Sequence, residues 1–141
     1  MLTANVAIAQ QHRNRQKITL LKTAFITDAI NLTPKEAEKF WPIYNLYSDK
    51  IRASKMALEG GLQREIRFAG GVENLSDEQS QKIIDNVVLL EQQITDHKIK
   101  LIQELSTIIS AKKIIGLKKA ERNFNRRILQ EYGKRRRMQG Q

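Results

Sequence analysis

The side chains able to do chemistry are few. His12 and His97 are the only histidines, and there is no cysteine. Thiolate nucleophiles, disulfides and cysteine–zinc sites are thereby excluded, and two histidines are a poor supply for a metal site or a proton relay. Neighbouring acids occur at Glu36/Glu38 and Asp77/Glu78. Each pair closely follows a hydroxyl residue and precedes an apolar-periodic stretch, so the positive end of a helix dipole accounts for both. The glycine pairs at 60–61 and 70–71 lack the Lys-Ser/Thr of a phosphate loop. His97 falls on an apolar stripe, where a packed, hydrogen-bonded histidine is the ordinary outcome. The expectation is a protein without enzymatic activity, cofactor or metal.

Charge is the stronger signal. Residues 112–137 hold 11 Lys/Arg against Glu121 and Glu131, a net +9 of the chain's formal +10. A field so concentrated attracts acidic partners over roughly a Debye length of ~8 Å. Nucleic acid, anionic lipid and acidic polypeptide all satisfy it. Lys112, Lys119, Arg122, Arg126 and Arg127 form the candidate binding surface, with the tail "KRRRMQGQ" beyond Gly133. No helix-turn-helix pattern is evident, and aromatics do not interleave with the basic residues as in a stacking platform.

The elements that position these groups read as helices throughout. At 141 residues, 40% hydrophobic and with two prolines, the chain is one folding domain of ordinary size. Ile18, Leu20, Leu21, Ala24, Phe25, Ala29 and Ile30 recur at three- and four-residue steps, predicting a helix over about 13–30. A second helix over 34–68 carries Ala37, Phe40, Trp41, Tyr44, Tyr47, Ile51, Met56, Leu58 and Leu62 as its apolar band. Pro42 lies inside that helix and predicts a bend rather than a stop, and Gly60-Gly61 weakens it further. The third, over 77–108, has one stripe of Ile83, Val87, Leu90, Ile94, Leu101, Leu105 and Ile108. A second stripe of Ile84, Val88, Ile102 and Ile109 runs beside it, and so wide an apolar arc calls for more than one neighbour. At about 45 Å such a helix exceeds the width of a compact globule of this size, so an elongated bundle or a dimer is expected. A fourth helix over 111–132, capped by Ser110, packs through Ile114, Leu117, Phe124, Ile128 and Tyr132. The domain is therefore 13–133, between a disordered leader (1–12) and a basic disordered tail (134–141). No apolar run reaches the ~18 residues of a membrane span.

In the leader, Ala7-Ile8-Ala9 before Gln10 has the small-x-small form of a signal-peptidase site. The residues before it are too few and too weakly apolar for a full signal. The expectation is the end of an export signal that begins before Met1, and hence a periplasmic protein.

Two helix starts share more than capping requires. "NLTPKEAEK" (31–39) and "NLSDEQSQK" (74–82) repeat Asn, Leu, a hydroxyl, then Glu or Gln, then Lys. Thr33 with Glu36, and Ser76 with Gln79, are placed to form capping boxes worth ~1 kcal/mol each. Leu32 and Leu75 precede them. Both copies are also N-x-Ser/Thr sequons, at Asn31 and Asn74, which capping explains more simply.

Opening two helices in a small, basic, all-helical chain, "LTPKE" and "LSDEQ" resemble the paired LTxxQ motifs of the Spy/CpxP family of periplasmic envelope-stress proteins. The runs "FITDAINLTPKEAEKFWPIYNLY" and "KKAERNFNRRIL" resemble the Bacteroidetes branch labelled sensors of ECF-type sigma factors. The resemblance implies an all-α fold of four helices in helical hairpins, paired into a curved antiparallel homodimer. It also implies a basic concave face for unfolded clients or a sensor-kinase domain. Glu36 stands where the family has the first Gln, and Ser76 where it has the second Thr. The function implied is an ATP-independent chaperone or a signalling adaptor binding unfolded or partner proteins, including a sensor kinase or a sigma-factor pathway component. A cytoplasmic nucleic-acid-binding protein using the basic segment is the alternative from a different class.

Overall fold

The computed structural model describes residues 2–140. Four α-helices follow one another: α1 (Leu2–Ala29), α2 (Pro34–Ala69), α3 (Asp77–Leu105) and α4 (Ala111–Gln139), with a turn of 3-10 helix at Val72–Asn74 between α2 and α3. The fold is all-α, with no strand among the described residues. No described helix is long and apolar enough to cross a membrane. Met1 and Gln141, the ends of the expected leader and tail, lie outside the described residues.

The chain divides into two compact units: the segment up to Ala37 together with that from Ser110 onward, and Glu38–Ile109. In the first, α1 and α4 run in opposite directions. Phe25 meets Phe124 with ring centroids 5.7 Å apart. One stretch along, Gly116 brings the α4 backbone so near Ile30 that an added Cβ would lie 3.2 Å from its Cγ2. Ile26, Ile30, Leu117, Ala120 and Phe124 are the buried core here. In the second unit Phe40, Tyr44 and Tyr47 of α2 are buried, as are Ile94, Leu101 and Leu105 of α3. Phe40 stacks on Tyr44 at 5.3 Å and meets Trp41 edge-on at 4.8 Å, the offset and T-shaped arrangements that aromatic quadrupoles favour. Helix α2 passes through Pro42, which is exposed, so its missing N–H leaves the Glu38 carbonyl towards water.

The structure corrects several expected boundaries. Helix α1 starts at Leu2 rather than at residue 13. The leader lacks an apolar pattern, yet it also lacks Gly and Pro and is rich in Ala and Gln, which favour helix. Helix α4 continues through Gly133 to Gln139. A helix-ending glycine needs positive φ, which among the glycines only Gly70 and Gly71 adopt, and the Lys and Arg beyond Gly133 complement the helix C-terminus. Helix α3 stops at Leu105, three residues short of Ile108. There Ser106 Oγ donates to the Ile102 carbonyl at 2.7 Å and Thr107 Oγ1 to that of Glu104 at 2.7 Å, local bonds that compete with further helix.

The buried face of α1 is also rotated from the expected one. Ile26 is fully buried, while Leu20 is 71% exposed and Ala24 and Ala29 face water. Along α3, Ile94, Leu101 and Leu105 of the first stripe are buried and Ile83, Val87, Leu90 and Ile108 half-buried, while Ile84 and Val88 of the second are 54% and 62% exposed.

Candidate functional site

The two motif copies are built alike at the helix start and differently around it. At the first, α1 closes in a Schellman turn: Leu32 N–H donates to the Thr27 carbonyl at 3.1 Å and Asn31 N–H to that of Asp28 at 3.2 Å. Asn31 takes the left-handed position, φ 51°, which Asn tolerates better than most side chains. Thr33 then caps α2. Glu36 N–H donates to Thr33 Oγ1 at 3.1 Å, and Thr33 N–H donates back to Glu36 Oε1 at 3.0 Å.

That Glu36 oxygen has a second partner. Lys113 Nζ lies 2.6 Å from it and donates also to the Asn31 carbonyl at 2.8 Å. One ammonium thus joins the end of α1, the start of α2 and the first turn of α4, all within the first unit. Only about a quarter of either side chain remains exposed, 26% for Lys113 and 21% for Glu36. The hydrogen bond from Lys113, followed by that from the Thr33 backbone, holds the Glu36 carboxyl below its ordinary range.

At the second copy Gly70 ends α2 in the same Schellman pattern, with Gly71 N–H reaching the Ile66 carbonyl at 3.0 Å. The φ values of 84° at Gly70 and 127° at Gly71 require glycine. A Cβ on Gly71 would also fall 2.5 Å from the Glu73 carboxylate. Asn74 occupies a different role from Asn31: its Nδ2 donates to the Gly70 carbonyl at 3.1 Å from within the 3-10 turn. Ser76 caps α3 reciprocally with Gln79, at 3.0 and 3.1 Å. Leu32 and Leu75 are both half-buried. Gln79 lies at the edge of a groove of about 300 Å³ between α2 and α3, whose walls include Leu58, Leu62, Ile83 and Val87. Gly61 opens onto it, with nothing within 4 Å of an added Cβ.

On α4, Lys112, Lys119, Arg122, Arg126 and Arg127 are all exposed. Arg127 also lies over Phe25, its guanidinium 5.4 Å from the ring centroid in a cation–π contact inside the first unit. Lys113, absent from the sequence-derived surface, bonds both Glu36 and the Asn31 carbonyl. Ser110 caps the helix, accepting from Lys113 N–H at 3.2 Å.

A further polar contact had no signature in the sequence. Tyr47 O–H donates to Glu104 Oε1 at 2.7 Å, which raises the Tyr47 pKa above its ordinary value. The His97 ring centroid lies 6.4 Å from that of Tyr47. Among the described residues no group of His, Asp and Glu is arranged to hold a metal ion. Compared with known proteins, the chain matches no family model, no curated protein and no solved structure.

Proposed function

We propose that this chain is a non-enzymatic binding protein of the Spy/CpxP type, exported to the periplasm, that holds unfolded or partner polypeptides without ATP. The observation that carries the reading is apolar surface left open on regular, well-capped helices. Phe68 is 85% exposed beside the α2–α3 turn, Ile84, Val88 and Leu89 are exposed near the start of α3, and Ile99 and Ile102 are exposed further along it. Apolar side chains held in a row on a helix offer extended, largely non-directional attraction, which suits clients of varied sequence. Exposed Lys112, Lys119, Arg122 and Arg126 add long-range attraction for acidic segments.

In this reading the chain acts as a homodimer whose second copy covers part of the α3 stripe. The chaperone and adaptor versions differ in client breadth, a dedicated partner such as a sensor kinase marking the adaptor. Titrating a fluorescently labelled, permanently unfolded polypeptide and following its anisotropy tests the proposal. Saturable binding without nucleotide is expected, and unchanged anisotropy at high micromolar protein overturns the holding function. Fractionation of cells producing the protein is expected to recover it in the periplasm.

The row of exposed cations on α4 favours one other reading, nucleic-acid binding through phosphate contacts. A mobility shift that weakens steeply with salt is its mark.

A further inference from the structure

The first turn of α4 is electrostatically unfavourable by itself. Lys112 and Lys113 sit at the positive end of the helix dipole, and that turn has no acid of its own. The missing negative charge comes from α2, where Glu36 meets Lys113 at 2.6 Å. The same Lys113 ammonium takes the Asn31 carbonyl of the α1–α2 turn. The groups acting on Glu36 are Lys113 from α4 and Thr33 from its own capping turn, while Lys112 stays exposed.

We propose that the Glu36–Lys113 pair is an acid-released clasp: protonation of Glu36 frees the first turn of α4 while the start of α2 stays capped. The separation of the two effects follows from the atoms. A neutral carboxyl keeps an oxygen able to accept the Thr33 N–H, so the capping box persists. It gives up the charge that offsets Lys112 and Lys113, so that turn frays. Because Glu36 titrates below its ordinary range, the clasp is complete at neutral pH and down through that range. It is lost only as pH falls through the lowered value, below 4.5. The second motif has the neutral Gln79 at this position, so its capping box contains no titrating partner.

Amide hydrogen exchange resolved by residue, with protection factors corrected for intrinsic rates, tests the clasp at pH 6.5 and pH 3. In the wild-type chain, protection at Ile114–Leu117 relative to Phe124 falls about two- to fivefold on acidification, the span of a partly exposed ion pair. In Glu36→Gln it is already low at pH 6.5 and does not change further, while protection at the start of α2 matches the wild type. Lys113→Met reproduces the α4 pattern from the other side of the pair. An α4 first turn equally protected in wild type and Glu36→Gln at pH 6.5, or the same acid-dependent loss in both, overturns the proposal.

Discussion

The α1–α2 and α2–α3 turns show how one short motif is reused with different surroundings. Both deliver the chain from a Schellman turn to a capping box three residues long. In the first, the motif's own Asn31 supplies the left-handed residue, and the turn is compressed to Asn31-Leu32 before the cap. In the second, Gly70 supplies it, Gly71 and a 3-10 turn intervene, and Asn74 ties that longer path together through its side chain. The charged member, Glu36, is bound to another helix, whereas the neutral Gln79 borders an open groove. The difference teaches that the shared letters encode a helix start, and the residue at the box position decides what that start is attached to.

The comparison breaks most readily at its glycines. Gly71→Ala forces a side chain into φ 127° and against Glu73, and should destabilise the chain by roughly 1–3 kcal/mol in urea unfolding. The matching change at the first turn, Asn31→Gly, should shift stability by under about 1 kcal/mol, because glycine accepts the same φ. Equal losses at the two positions would remove the distinction between the turns. The caps come next: Thr33→Ala and Ser76→Ala should each cost about 1 kcal/mol. Thr33→Ala should additionally shift the apparent pKa of Glu36 upward, measured by NMR titration of its carboxyl carbon, since Thr33 helps hold the anion.

A smaller effect concerns Tyr47. Its raised pKa means that the bond to Glu104 contributes fully below pH 10 and is lost as pH climbs through the shifted value. Tyr47→Phe should therefore unfold at lower urea than wild type at pH 7, with the two converging in strong alkali. A constant gap from pH 7 to 11 would show that the hydroxyl bond contributes nothing to stability.

Much of the architecture was legible because helix starts are local. Thr33, Ser76 and Ser110 each bond to a backbone N–H three residues on, so type and spacing suffice to recognise them. The buried face of α1 was not legible: Leu20, Ala24, Phe25 and Ile26 all lie within a broad apolar arc, and only packing on α4 selects Ile26 over Leu20. The end of α3 required weighing Ser106 and Thr107 against a continuing apolar period. Lys113 escaped notice because its acidic partner lies 77 positions away, and nothing in a basic run marks which lysine is engaged. The role of Arg127 over Phe25 was hidden for the same reason.

The proposed holding function rests on the exposed apolar residues of α3, and light scattering from a chemically denatured client diluted into buffer reads it most directly. At severalfold excess and without ATP, the wild-type protein is expected to suppress the scattering. Ile84→Ser with Val88→Ser, helical by circular dichroism, should suppress it much less. Scattering that rises as fast with the wild-type protein as without it would contradict the account.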